Sequence, residues 1–144
     1  MIHYVKGNIF ESKARVLVNP VNTVGVMGKG LALQFKNRYP KMFTEYKYAC
    51  DNDLLYVGEL HLWNGNDHDI LNFPTKKHWR NPSKLEYIET GLKQLKKEWK
   101  GNINGSIAFT RLGCGCGGLD WKDVKPLMEK YLKDLPLEIY IYEN

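Results

Sequence analysis

The chain has 144 residues, 43% of them hydrophobic and 26% charged, enough for one folded core without disulfides or a structural metal and too apolar for a disordered chain. No apolar run is long enough to cross a bilayer, and the N-terminus lacks a basic start followed by an apolar stretch, so a cytoplasmic protein is expected. Lys and Arg number 21 against 16 Asp and Glu, a net charge of +5 with a pI near 9.0, which favours an anionic partner such as a nucleotide or nucleic acid.

Taken in chain order, strands and helices alternate. Met1 to Val5 and Val16 to Asn19 are short apolar or β-branched runs, the second nearly continuous, and both read as inner strands. Leu31, Leu33, Phe35 and Tyr39 are loosely helical in spacing; Pro40 should end that helix and start a second one running to Cys50. Gly58 to Trp63 and His68 to Phe73 are strand-like runs around Asn64-Gly65, a strong turn signal, and predict a hairpin. Ser83-Lys84-Leu85-Glu86 has the form of a capping box, after which Leu85, Ile88, Leu92, Leu95 and Trp99 recur at helical steps. Ser106 to Arg111 reads as a buried strand, Val124 to Leu132 as a helix and Leu137 to Tyr142 as a closing strand. This pattern predicts an α/β domain over residues 1–144: a mixed, mostly parallel sheet with helices on both faces and ligands beyond the carboxyl ends of the strands.

Two glycine-rich segments follow strands and precede helices: Gly25-Val26-Met27-Gly28-Lys29-Gly30 and Gly113-Cys114-Gly115-Cys116-Gly117-Gly118. Glycine lets backbone N–H groups approach an oxyanion, and the following helix N-terminus adds a favourable dipole. Two such loops suggest a diphosphate held from both sides. Gly28-Lys29-Gly30 lacks the Ser or Thr of a P-loop, and the dinucleotide-type spacing of Gly113, Gly115 and Gly118 comes too near the C-terminus for a complete dinucleotide fold. Cys50, Cys114 and Cys116 are odd in number and show no zinc spacing, so free thiols and no metal are expected.

Together, Val18 to Gly30, Asn72 to Arg80 and Leu112 to Trp121 closely resemble macrodomains, in particular the DarG antitoxin branch. In that family the macrodomain removes ADP-ribose that the partner toxin DarT attaches to thymine bases in DNA. The more loosely similar terminal ADP-ribose glycohydrolases act on modified glutamate and also on DNA. The resemblance implies a macrodomain fold, a monomer without cofactor, and ADP-ribose, ADP-ribosylated DNA and a DarT-like toxin as partners. It also implies that longer antitoxins carry a toxin-binding domain for which nothing in these residues could serve. An ADP-ribose reader, an ADP-ribose 1″-phosphate phosphatase and a glutamate de-ADP-ribosylase are the alternatives.

By the same resemblance the ADP-ribose site would take Asn8 at the adenine, Asn22 at the distal ribose, Gly25, Val26, Met27, Gly28, Lys29 and Gly30 at the diphosphate, and Ile9, Asn19 and Thr23 beside them. Pro74 and Thr75, then Gly113, Cys114, Gly115, Cys116, Gly117, Gly118 and Leu119, would complete it, with Tyr142 stacking on adenine in preference to Tyr140. Gly7-Asn8 departs from the family's Gly-Asp; an Asn carbonyl still accepts from the adenine amino group but without charge assistance. Lys76, directly after Pro-Thr, would be catalytic, with Lys77 the runner-up. Its ammonium could protonate or polarise the departing base, and its free amine could attack C1 of the distal ribose. Asp120 would assist from the start of a helix, unless it only caps that helix. Lys77, His78, Trp79, Arg80 and Lys84 combine charge with an aromatic face and are candidates for DNA contact.

Overall fold

The computed structural model describes residues 1–144. Two strands have almost no polar face: β2, Val16–Val21, and β4, Asp69–Pro74. Such strands need apolar cover on both sides, and neighbouring residues of β2 accordingly enter different cores. Val16 and Val18 join Leu71, Phe73, Ile88, Leu92, Leu95, Val124 and Met128 on one face, whereas Leu17 and Val21 join Ile9, Met27, Phe35, Met42 and Tyr46 on the other. The first face is covered by α3, Leu85–Glu98, and α4, Trp121–Leu132; the second by α1, Gly30–Arg38, and α2, Pro40–Asp51. Each buried Leu or Ile of α3 contributes about 1.5–3 kcal/mol.

Strands β1 (Ile2–Val5), β3 (His61–Trp63), β5 (Ser106–Phe109) and β6 (Glu138–Tyr142) complete a six-stranded sheet of order β1-β6-β5-β2-β4-β3. All its pairings are parallel except β3 with β4. This is the mixed, mostly parallel sheet with helices on both faces that the alternation of elements predicts. The β3–β4 hairpin forms as its Asn-Gly turn predicts, and Arg15 clamps that turn, bonding Gly65 O at 2.6 Å and pairing with Asp69 at 2.9 Å. Pro40 does start α2.

Two expectations are corrected. β1 is an edge strand paired with β6 alone, not an inner strand, and none of its residues is fully buried. Its apolar run is too short to signal cover on both faces. The capping box does not form: Lys84 occupies the cap position without a side-chain bond, while Ser83 Oγ is buried and unpartnered. Ser83 has turned against the second glycine loop, its N–H donating to Gly117 O at 2.9 Å.

Four of the parallel strands, β2, β4, β5 and β6, deliver their carboxyl ends to one edge. Pro20 brings no N–H to the ladder, and the pairing of β2 with β5 stops at Leu17–Ala108. The two strands therefore part above that point, which opens the sheet where the ligand of such a fold is expected.

Candidate functional site

A cavity of about 630 Å³ fills this opening. Its floor is Pro20, Val21 and Asn22 from β2 and the turn after it, Thr75 and Lys76 after β4, and Thr110 after β5. Val26, Gly28, Lys29 and Gly30 form one wall, and Gly113, Gly115, Cys116 and Gly117 the other. The paired glycine loops thus face each other. A second cavity of about 420 Å³, between Asn8, Ile9, Phe10, Gln34 and Tyr142, shares Leu31 and Thr110 with the first, so the two adjoin as one elongated cleft.

Asn22 shapes the first loop from within. Its Nδ2 donates to Val26 O at 2.8 Å, and its Oδ1 accepts from Val24 N at 3.1 Å and lies 2.8 Å from the Tyr46 hydroxyl. Burial pushes that hydroxyl's ionisation above the ordinary tyrosine range, so Tyr46 stays a donor. One Nδ2 hydrogen of Asn22 is left for a ligand. In the second loop Gly113 needs its left-handed φ of 73°, and any Cβ there would meet Leu119 Cδ1 at 2.8 Å.

Lys76 lines the cavity and ties its own loop to the second glycine loop: its Nζ donates to Trp79 O at 3.2 Å and to Cys116 O at 3.4 Å. Lys77 points away, its Nζ 5.8 Å from the centre of the Tyr87 ring. Thr23 anchors this stretch: its N–H and Oγ1 both donate to Lys77 O, at 3.0 and 2.9 Å, and hold the peptide between Lys77 and His78. Trp79 lines the cavity and is 44% exposed, with the Arg80 guanidinium 4.5 Å from its ring centre and His78 tilted against it at 5.1 Å.

Several expected site residues lie elsewhere. Asn19 is fully buried under the site, its Nδ2 donating to Asn72 Oδ1 at 3.0 Å and contacting the Met27 sulfur at 3.7 Å. Met27 is likewise buried and supports the first loop from below. Gly25, Pro74, Cys114, Gly118 and Leu119 brace the loops without lining the cleft; Leu119 packs on the core, and Cys114, whose thiol burial pushes up, bonds Leu112 O. Asp120 is outside the cavity, its side chain 58% exposed, accepting from Lys122 N at 3.2 Å as a helix cap. Asn8 lines the smaller cavity and also caps a short 3-10 helix, Ile9–Glu11, accepting from Phe10 N at 2.9 Å. Sequence reasoning missed Pro20, Val21, Leu31, Ala32 and Thr110, ordinary core residue types whose only signal is their place just beyond strand ends or at the start of α1. All three cysteines are free.

The family model described as Macro domain matches residues 18–128. A DNA ADP-ribosyl glycohydrolase of Thermus aquaticus is 43% identical over 99% of the chain and 41% of its own length. The solved macrodomain of Mycobacterium tuberculosis DarG is 47% identical, with a TM-score of 0.95 over 100% of this chain and 98% of that one. The structure of Thermosipho africanus DarTG in complex with ADP-ribose is 38% identical, with a TM-score of 0.91 over 98% of this chain and 41% of that one. The corresponding curated protein is named a DNA ADP-ribosyl transferase-DNA ADP-ribosyl glycohydrolase fusion. The chain spans about two fifths of the length of these curated relatives.

Proposed function

The chain belongs to the Macro domain family, in the branch of the DarG macrodomains, and from that premise we propose that it removes ADP-ribose from thymine bases in single-stranded DNA, in the cytoplasm. The observation that carries the reading is Lys76, which lines the cleft with its Nζ held by Trp79 O and by Cys116 O of the second glycine loop. In this reading the adenine lies in the smaller cavity beside Asn8, Ile9 and Tyr142. The diphosphate crosses between the Val26–Gly30 and Gly113–Gly117 walls, whose N–H groups and α1 N-terminus favour anions. The distal ribose meets the free Nδ2 hydrogen of Asn22 and Thr75, which sets C1 beside Lys76. Trp79, at the mouth, stacks on the departing thymine.

Lys76 donates to two carbonyl oxygens, contacts suited to an ammonium, and its role is to protonate or polarise the base as the N-glycosidic bond breaks and water attacks C1. Asp120 faces solvent and has no part in the step. The transferase half named in the Thermosipho africanus fusion supports a DNA ADP-ribosyltransferase acting on the same thymines as the partner activity that supplies the substrate.

The test is Lys76→Ala. Release of ADP-ribose from a modified single-stranded oligonucleotide should fall on the order of a hundredfold to ten-thousandfold, while calorimetric affinity for ADP-ribose stays within about tenfold. Borohydride during turnover should trap no adduct at Lys76; a trapped adduct would make it a nucleophile instead. Undiminished turnover by Lys76→Ala refutes the assignment.

A further inference from the structure

Beside the cavity mouth is a surface that the cleft itself does not use. Tyr87 stands one turn into α3, half-buried and outside the cavity. Two ammonium groups from different elements converge on its ring, Lys77 Nζ at 5.8 Å and Lys84 Nζ at 5.6 Å from the centroid. The chain's seven ion pairs lie elsewhere and involve none of Lys77, Arg80 and Lys84. Leu85 is 39% exposed beside them and Trp79 44%. Aromatic and apolar surface interleaved with unpaired cations is the combination that takes up a single-stranded nucleic acid, rings for the bases and cations for the phosphates.

The ledge is tied to the site at both ends. Ser83, just before α3, bonds Gly117 of the second glycine loop, and Lys77 follows Lys76 directly with its carbonyl fixed by Thr23. We propose that Tyr87, flanked by Lys77 and Lys84, is a second stacking platform that takes the base next to the modified one, while the two lysines hold the phosphate between them. The ligand is then a single-stranded polynucleotide segment read at two successive bases, one on Trp79 and one on Tyr87. A base can lie flat on an exposed ring only when it has left its duplex neighbours, so the geometry selects single strands. The lysine contacts with the ring are weak at an exposed site, and phosphate oxygens draw the ammonium groups off and free a face for the base. Glu86 is the one acidic residue between Lys84 and Tyr87 and leaves the ledge net positive.

The proposal rests on the glycohydrolase reading for its direction but is tested apart from it, by fluorescence anisotropy with a short unmodified single-stranded oligothymidylate. Tyr87→Ala should weaken binding about tenfold and Tyr87→Phe, which keeps the ring, should bind as the wild type. Lys77→Ala with Lys84→Ala should flatten the dependence of log affinity on log salt by about 0.7, the contribution of the one single-strand phosphate that is no longer neutralised. ADP-ribose affinity should be unchanged by Tyr87→Ala. If Tyr87→Ala binds as the wild type, if the Phe variant is as weak as the Ala variant, or if the salt slope of the double variant is unaltered, the ledge is not a nucleotide track. Should Tyr87→Ala prove unfolded, the Phe variant and the lysine pair still decide. DNA binding that depends on Tyr87 in a protein that releases no ADP-ribose would instead overturn the glycohydrolase reading and leave the track standing.

Discussion

Substituting Gly117 by Ala tests whether the second glycine loop is set by close packing. Gly117 has no left-handed φ, so its backbone conformation suits alanine and any penalty must come from steric overlap. A methyl group there would lie 2.5 Å from Gly113 O, 2.9 Å from Ser83 Cβ and closer still to Ser83 Oγ. Neither neighbour can withdraw: one is backbone, and Ser83 is 5% exposed and bonded through its own N–H to Gly117 O. Restoring a separation of about 3.5 Å requires a loop shift of roughly 1 Å, and overpacking of this kind costs about 1–3 kcal/mol. The melting temperature should fall by roughly 3–10 °C. If the loop holds the diphosphate as proposed, the same shift misaligns its N–H groups, and losing one charge-assisted bond worth about 1.5–3 kcal/mol lowers ADP-ribose affinity at least about tenfold. Gly115→Ala is the paired variant, because a Cβ there meets nothing within 4 Å and projects into open space. It should melt within about 0.5 kcal/mol of the wild type yet still lose affinity, since its methyl group occupies the path of the ligand. Calorimetry with ADP-ribose and thermal melts on both variants supply the readouts. Wild-type melting and binding by Gly117→Ala would refute the packing argument, and undiminished affinity in Gly115→Ala would remove the diphosphate from this loop.

Gly91 in α3 should behave against helix propensity: alanine normally gains about 1 kcal/mol there, but its Cβ would come within 2.5 Å of Phe73 Cε1 and closer to Cζ. Gly91→Ala is therefore expected to destabilise, and Phe73→Leu in the same chain to recover much of the loss; a raised melting temperature in the single variant contradicts this. Burial, partly offset by Glu45, holds the His61 imidazole below its usual 6.5, and the neutral ring accepts from Asn72 Nδ2 at 3.0 Å. The unfolded chain takes up this proton first, so the contribution is full above about 6.5 and is lost as pH falls through the depressed folded value. His61→Gln should flatten that part of a stability-against-pH curve, and superimposable wild-type and variant curves would rule His61 out.

Local chemistry alone determined much of this protein. Pro40 can begin a helix but not continue one, Asn64-Gly65 closes a tight hairpin, and Ile88, Leu92 and Leu95 repeat at the helical period; each needs only residues near in sequence. The glycine runs after β2 and β5 were legible for the same reason, since backbone freedom next to a helix start is a property of a few consecutive residues. What each side chain does inside the site was not legible, because direction is set by partners distant in the chain. Ser83 has the pattern of a helix cap but lies against Gly117, Asn19 sits among the site motifs but is consumed by Asn72, and Asp120 turns to solvent while Asn22 turns inward to Val26 and Tyr46. Two adjacent lysines are equivalent as a string of residues. Only contacts with residues distant in the chain tell them apart, Cys116 O for the Nζ of Lys76 and the Tyr87 ring for that of Lys77.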